Sequence, residues 1–184
     1  MKYCIECGTT NVAFIIPEGD NRARYICQSC DYIHYMNPRM ICGTLPIHQK
    51  QVLLCKRSIE PRKGYWTLPA GFMENGESIE TAAHRETLEE ALATAVNSHL
   101  YSIFSLPKIN QVHIFYKCDI KDGAFGAGVE TEDAQLFDLD AIPWDQIAFK
   151  TVYRCLEHYI EDLKGNDFTV KTEEILTPFK PQED

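Results

Sequence analysis

The chain has 184 residues, of which 45% are hydrophobic and 24% charged, as in an ordinary globular protein. This composition excludes a chain that is disordered over most of its length, and no stretch reaches the ~20 apolar residues of a membrane helix. The 18 basic and 27 acidic side chains give a net charge of −9, so we expect neither a membrane nor a nucleic acid as partner. The first ten residues, MKYCIECGTT, lack the pattern of an export signal, so we expect a cytoplasmic protein.

The first feature along the chain is a pair of C-x-x-C motifs, Cys4 with Cys7 and Cys27 with Cys30, separated by 19 residues. This spacing is typical of a zinc site, and four thiolates favour a closed, structural Zn²⁺. A segment of about 40 residues cannot build a stable core alone, so a metal would supply its stability. Residues 1–37 are therefore predicted to form a zinc ribbon. The alternatives are a redox dithiol or a disulfide, and iron fits the same ligands.

The middle of the chain alternates strand and helix patterns. In chain order we predict strands at 40–47 and 51–56, a helix from an N-cap at Ser78 to about Val96, strands at 112–120 and 134–139, and an amphipathic helix at 152–163. Residues 38–165 therefore predict one α/β domain. Residues 166–184 are polar and are predicted to be a C-terminal extension whose last few residues are frayed.

Three carboxylates gather on the first predicted helix. Glu86 and Glu90 are four residues apart and leave the same face of the helix, with Glu89 beside them. Such a group is either a solvated acidic face or a site for a hard cation, because oxygen ligands suit Mg²⁺ or Mn²⁺. The glycine-bearing loop at 68–77 precedes this helix, and glycine lets the backbone approach a ligand closely.

The run Gly71-x₅-Glu77-x₇-Arg85-Glu86-Thr87-Leu88-Glu89-Glu90-Ala91-Leu92-Ala93 resembles the Nudix box. That pattern is Gly-x₅-Glu-x₇-Arg-Glu-U-x-Glu-Glu-x-Gly-U, where U is a bulky aliphatic residue. All charged positions and the first glycine match. Thr87 and Ala93 stand where an aliphatic residue is usual, and Leu92 replaces the second glycine, so we expect the helix to end later or differently.

The resemblance implies a Nudix-type α/β/α sandwich with a mixed sheet, and hydrolysis of a diphosphate that joins a nucleoside to another group. The roles it implies are Glu86 and Glu90 as metal ligands with the carbonyl of Ala70, Glu89 as a further ligand or a base, and Glu77 paired with Arg85 to hold the loop. A surface ion pair is the alternative for Glu77 and Arg85. Divalent cations would let an acidic protein accept a polyphosphate.

Two sequence features after and before the box limit the choice among candidate substrates. A zinc ribbon before a Nudix domain resembles the NADH pyrophosphatases, but those carry a Ser-Gln-Pro-Trp-Pro-Phe-Pro run, and this chain has Ser-Ile-Phe-Ser-Leu-Pro at 102–107. Pro107 lies 14 residues beyond Ala93, a placement associated with ADP-ribose pyrophosphatases. The resemblance therefore favours ADP-ribose or FAD over NADH or another dinucleotide. A simple strand end is the other interpretation of this proline.

A general base and phosphate contacts complete the predicted site. Glu130 ends a glycine-rich segment at 121–130 that suits a lid, and related Nudix enzymes place a catalytic glutamate near this position. Glu89 is the other candidate base, Glu132 and Asp133 are substitutes for Glu130, and a solvated acidic turn is the alternative. Arg57 and Arg62 lie before the box and would contact phosphates, unless they are ordinary surface charges.

Two other classes of function remain open on the sequence. One is a nucleic-acid-binding ribbon, although the ribbon carries too few basic residues for a convincing patch. The other is a non-catalytic sensor of nucleotides, which would not need three carboxylates on one helical turn. By resemblance to ADP-ribose-type Nudix enzymes, we expect a homodimer.

Overall fold

The computed structural model describes residues 1–176. The chain divides into two compact units, Met1–Asn37 and a larger one that begins at Pro38. No helix within the described residues is long and apolar enough to cross a bilayer.

The first unit is a three-stranded antiparallel sheet. Its strands are β1 (Val12–Ile15), β2 (Arg24–Cys27) and β3 (Ile33–His34), in the order β1-β2-β3. Of residues 1–37, those that are buried are Cys4, Pro17 and Cys27. A sheet this small has almost no apolar core, so a unit of this size depends on a further source of stability.

The described part of the second unit, residues 38–176, contains eight strands and two α-helices. They are β4 (Arg39–His48), β5 (Gln51–Arg57), β6 (Trp66–Thr67), β7 (Ala70–Phe72), α1 (Ile79–Ala91), β8 (Ala95–Leu106), β9 (Gln111–Ile120), β10 (Thr131–Phe137), α2 (Lys150–Gly165) and β11 (Lys171–Glu174). The strand order is β10-β5-β4-β9-β8-β11, while β6 pairs with β5 and β7 with β4. β4 with β9 and β8 with β11 are parallel, and the other pairs are antiparallel, so the sheet is mixed as expected.

The two helices cover opposite faces of this sheet. Neighbouring side chains on β9 point to opposite faces, and Phe115 belongs to the main core while Tyr116 packs in another cluster. The main core includes Leu156 of α2, and the other cluster includes Ala83 of α1. The α/β/α arrangement is therefore confirmed.

The predicted end of the first helix was wrong. Ser78 caps α1 as expected, with its side-chain oxygen accepting from Thr81 N, but the helix ends at Ala91 rather than near Val96. Leu92 adopts a left-handed conformation with φ 46°, and its N–H bonds to Thr87 O. The chain then enters β8, a 12-residue strand that the sequence analysis did not predict because its first residue, Ala95, continues the helical pattern.

Other boundaries also differ from the predictions, and β4, β5 and β9 each extend their predicted strands by one residue at one or both ends. The strand predicted at 134–139 is β10, which begins and ends earlier, and α2 extends the predicted helix at both ends. The C-terminal extension contains a strand, β11, which lies parallel to β8 at the edge of the sheet. The predicted fraying concerns residues 177–184, which lie outside the described residues.

Candidate active site

The acidic group of α1 lies at the wall of a pocket of about 1150 Å³. The side chain of Glu86 is 12% exposed and that of Glu89 is 59% exposed, while Glu90 as a whole residue is 8% exposed. Glu130 lines the same pocket, so the structure brings together the four glutamates that the sequence analysis singled out as ligands or bases.

Close backbone contacts explain the glycine of the predicted motif. The carboxylate of Glu86 lies against Gly71 so tightly that any Cβ at position 71 would overlap it. Gly43 lies on β4, opposite Ala70 in the sheet. A Cβ at position 43 would overlap Ala70 and the carbonyl of Pro69. Gly43 is therefore required for the strand to approach the loop, because its obstacles include backbone atoms, whereas a side chain at position 71 would displace the Glu86 carboxylate.

Arg85 links the acidic helix to the loop before it. Its Nε and Nη2 donate to the two carboxylate oxygens of Glu77 at 2.7 and 3.0 Å, and Nη2 also donates to Phe72 O at 3.1 Å. Its Nη1 donates to Glu86 at 2.7 Å and to Glu89 at 3.2 Å. Arg85 lowers the pKa of the Glu77 carboxyl to about 2, so this pair is a fixed bidentate clamp.

Burial raises the pKa of the deeper carboxylates. For Glu90, desolvation and the nearby charges of Glu86 and Glu130 raise the pKa to about 7, although an N–H from Ala70 at 3.0 Å opposes this. Burial also raises the pKa of Glu86, against the stabilising contact with Arg85. Crowded carboxylates of this kind are stabilised by added positive charge.

The loop that carries Glu130 is fastened to the last turn of α1. Gly126 N donates to Ala91 O at 2.8 Å, and Gly128 N donates to Glu90 O at 3.0 Å. These bonds satisfy carbonyls that a helix end leaves without intrahelical partners. Gly128 thus allows close packing against α1, because a Cβ there would overlap Glu89 O; the lid interpretation did not anticipate this.

The two candidate substitutes for Glu130 occupy another place. Glu132 and Asp133 lie in β10, and neither is among the side chains that line the acidic pocket. Glu130 is held at the rim of that pocket by its own backbone, since its carbonyl accepts from Ser58 N at 3.0 Å.

A second, mostly apolar pocket of about 590 Å³ adjoins the first and was missed in the sequence analysis. The two share Arg57 and the Ala70–Phe72 strand. Arg57 donates to Pro61 O at 2.8 Å and stacks on Phe149 at 5.2 Å, while Arg62 lines the apolar pocket and stacks on Tyr65 at 5.5 Å. No local motif signals this pocket, because its walls come from strands, loops and α2 that are far apart in sequence.

The four ribbon cysteines form the tight cluster that the spacing predicts. Their sulfur atoms all lie within 4.8 Å of one another, with Cys4–Cys30 at 3.7 Å and Cys7–Cys27 at 3.6 Å. Tetrahedral zinc with bonds of about 2.3 Å requires sulfurs roughly 3.8 Å apart, whereas a disulfide requires about 2.05 Å. All four cysteines are free of disulfides, so the geometry fits a metal.

Comparisons with known proteins agree with these features. A family model described as NUDIX domain matches residues 39–156, and one described as Nudix N-terminal, a zinc ribbon, matches residues 2–36. The chain belongs to the Nudix family.

Three similar proteins illustrate this kinship. A crystal structure of a NUDIX hydrolase from Nitrosomonas europaea is 44% identical with a TM-score of 0.92, covering 96% of this chain and 100% of that one. An ADP-ribose pyrophosphatase from Methanocaldococcus jannaschii is 31% identical over 61% of this chain and 69% of its own length. A NAD-capped RNA hydrolase NudC from Chromobacterium violaceum is 26% identical over 89% of this chain and 60% of its own length. The chain thus spans about three fifths of this NudC relative.

The departures from the Nudix pattern have local explanations. Thr87 is buried, and its hydroxyl donates to Ala83 O at 2.7 Å and contacts the hydroxyl of Thr44 at 2.6 Å. The buried hydroxyl therefore has hydrogen-bond partners, so threonine can replace the usual aliphatic residue here. Leu92 adopts the left-handed conformation that glycine favours.

The donor set of the Nudix site suits a divalent cation. Among residues 1–176, the cysteines are the only group of three or more ligand residues whose atoms already converge. The glutamate oxygens instead contact Arg85 and the N–H of Ala70. The carboxylates of Glu86, Glu89, Glu90 and Glu130 offer the oxygen ligands that hard cations prefer. Arg85 partly neutralises Glu86 and Glu89.

Proposed function

We propose that this Nudix protein hydrolyses, with Mg²⁺ or Mn²⁺, the diphosphate of a nucleoside diphosphate linked to another group, and that ADP-ribose or FAD is the substrate. The observation that carries the proposal is the pocket in which Glu86, Glu89, Glu90 and Glu130 meet, beside a second pocket with a mostly apolar lining. The similarity to an ADP-ribose pyrophosphatase supports the choice of substrate.

In this proposal Glu86 and Glu90 hold the catalytic cation with the carbonyl of Ala70, and Glu89 is a further ligand or a base. The cation would neutralise phosphate oxygens and lower the pKa of an attacking water. Arg85 and Glu77 fix the loop against α1, so that the carbonyl and the carboxylates keep their spacing. Arg57 and Arg62 contact phosphate groups.

Glu130 is the proposed general base, because it lines the acidic pocket without belonging to the helix that holds the cation. Glu130→Gln should lower kcat by about 10²–10⁴ with unchanged metal affinity, and should flatten the acidic limb of the pH–rate profile. Glu132→Gln is the matched control, since that side chain lies outside the pocket. Normal kcat and an unaltered profile for Glu130→Gln would return the role to Glu89.

A second candidate substrate is NADH or another dinucleotide. It is favoured by the NudC relative, whose similarity extends over most of this chain, including the ribbon. It is disfavoured by the absence of the proline-rich run after the box. A non-catalytic nucleotide sensor and a nucleic-acid-binding ribbon are the alternatives of other classes, and in the ribbon Arg24 is already engaged by Asp20 at 2.6 Å.

The test is a substrate panel of ADP-ribose, FAD, NADH, diadenosine polyphosphates and nucleoside triphosphates, with Mg²⁺ or Mn²⁺ and product identification. ADP-ribose or FAD should give the highest kcat/KM. Glu86→Gln should lower kcat by at least about 100-fold, whereas Glu80→Gln should leave kcat unchanged, because Glu80 lies in the first turn of α1 outside the pocket. Binding of these compounds without turnover in the wild type would support a sensor instead.

We further propose structural Zn²⁺ on Cys4, Cys7, Cys27 and Cys30, a homodimer, and a cytoplasmic location. The zinc rests on the sulfur geometry, and the location rests on eight cysteines without a disulfide. The dimer is supported by large apolar side chains left in solvent, such as Phe14 and Ile16, which are 61% and 60% exposed. Light scattering at working concentration would refute the dimer if it gave the mass of one chain.

A further inference from the structure

The C-terminal strand β11 lies beyond the part of the chain that matches the Nudix domain, which ends at residue 156. It pairs in parallel with the edge strand β8, from Lys171 opposite Ser102 to Glu174 opposite Ser105. The next residue, Ile175, continues the pairing through its N–H to Ser105 O at 2.9 Å. The segment thus extends the sheet by one short strand.

Charged contacts, more than apolar ones, fix the position of this strand. Glu173 accepts from Arg154 Nε at 2.9 and 3.1 Å and lies 3.1 Å from His158 Nε2, both on α2. Lys171 contacts Asp162 at 2.8 Å, and the buried Asp162 also accepts from Tyr101 at 2.8 Å. A four-residue edge strand with alternate residues in solvent gains little from burial, so these contacts specify where it lies.

The two residues after β11 form a wall of the apolar pocket. Ile175 is 7% exposed and belongs to the main core, while Leu176 is 49% exposed, and both line this pocket. Phe72 and Phe149 also line it. Because the pocket shares Phe72 and Arg57 with the acidic pocket, a molecule bound across that boundary would reach both.

The charges of the two pockets decide which part of a substrate belongs in each. Among the described residues, the apolar pocket has four cationic side chains in its lining and no carboxylate; these are Arg57, Arg62, Lys108 and Lys150. An occupant with a flat apolar body and an attached anion suits such a lining, since aromatic and guanidinium faces stack on planar rings. A nucleobase followed by phosphates has this form.

We propose, on the basis of the function proposed above, that Ile175 and Leu176 form the wall against which the nucleobase of the substrate packs. In this arrangement Glu173 is a positioning residue that holds the wall through Arg154 and His158. The segment that the family pattern does not cover therefore sets how strongly this chain binds the base, while the acidic pocket acts on the diphosphate.

The test compares AMP with ribose 5-phosphate, the two halves of ADP-ribose, of which only AMP carries a base. Binding of each is measured by calorimetry to the full chain with Mg²⁺. Leu176→Ala should weaken AMP about tenfold, which corresponds to ~1.4 kcal/mol, and should change ribose 5-phosphate by less than about twofold. Glu173→Gln should weaken AMP about threefold, and both variants should act on ADP-ribose hydrolysis through KM rather than kcat.

Matched controls separate this effect from loss of fold. Leu163→Ala removes a similarly exposed leucine of α2 outside the pocket, and Glu174→Gln changes the neighbouring glutamate on the solvent side. Both controls should bind AMP as the wild type does. The wall is overturned if the wild type does not bind AMP, if Leu176→Ala binds it normally, or if the variant loses both ligands equally. If the chain bound AMP more tightly than ribose 5-phosphate but did not hydrolyse ADP-ribose, the proposed reaction would be refuted, whereas the proposed role of Ile175 and Leu176 would not.

Discussion

Replacing Gly128 by alanine should disturb the site without changing any charge. A Cβ at position 128 would overlap the carbonyl oxygen of Glu89 and lie 3.1 Å from Cα of Glu90. Both obstacles are backbone atoms of α1, so the loop must move away as a whole and stretch its bond to Glu90 O, which is 3.0 Å long. We expect overpacking to cost about 1–3 kcal/mol of unfolding free energy.

The same displacement should affect catalysis, because Glu130 lies two residues further along the loop. A shift of about 1 Å in a catalytic group can cost roughly 100-fold in rate, so kcat for the best substrate should fall by about that factor. Gly126→Ala is the matched control, since its Cβ would meet only Leu92 side-chain atoms, the nearest at 3.4 Å. Neither glycine has a positive φ, so alanine introduces no backbone strain of its own.

The assay is denaturant unfolding together with steady-state hydrolysis on both variants. Gly128→Ala should be the less stable and the less active of the two. If it matched Gly126→Ala in both measurements, the loop would not be fixed against α1 as the structure shows. If stability fell but kcat held, the position of Glu130 would be irrelevant to the reaction.

Three further predictions concern the metals and a buried histidine. Elemental analysis should find about one zinc per chain, and a Cys–Cys crosslink in place of zinc or iron would refute this. Glu86→Gln and Glu90→Gln should each lower kcat by at least about 100-fold with the fold intact, and wild-type rates across metal concentrations would show that the residue is no ligand. Burial lowers the pKa of His113 to about 4. Between about pH 6.5 and pH 4 the unfolded state binds a proton that the folded state does not, so the free energy of unfolding should fall by up to about 3 kcal/mol as the pH drops through this range. His113→Gln should remove that part of the pH dependence, and an unchanged slope would contradict it.

The acidic part of the site was predictable from sequence because its geometry is local. Glu86 and Glu90 are one helical turn apart, so any helix over this segment puts them on one face. The cysteine cluster was predictable for a similar reason, since two short turns each present two sulfurs. Glu130 was reached through the glycine-rich segment before it together with the family resemblance, and its approach to α1 was not predictable because it depends on a loop about 40 residues away in sequence.

The parts that the sequence did not reveal depend on contacts between distant segments. Ala95 continues the helical pattern of α1, yet it begins β8 because pairing with Ile120 stabilises a strand there. The sequence alone predicts a polar extension where β11 lies. Two of its charged residues are paired with Arg154 and Asp162, and these partners are recognised only when α2 is placed beside the strand. The apolar pocket likewise has no signature, because Phe72 and Phe149 come together only through the sheet.

Under the proposed function, the two adjoining pockets would give the substrate a direction along the protein. Among the described residues, the acidic pocket contains six glutamates against two arginines, whereas the apolar pocket contains four cations and no carboxylate. A diphosphate is repelled by the first unless a divalent cation is present, and attracted by the second. Arg57 is the one cation that lines both, so the diphosphate should lie beside it, with the base toward Phe149 and the scissile bond toward Glu90. Arg57→Lys would keep the charge but lose the stacking on Phe149, and it should therefore raise KM more than it lowers kcat.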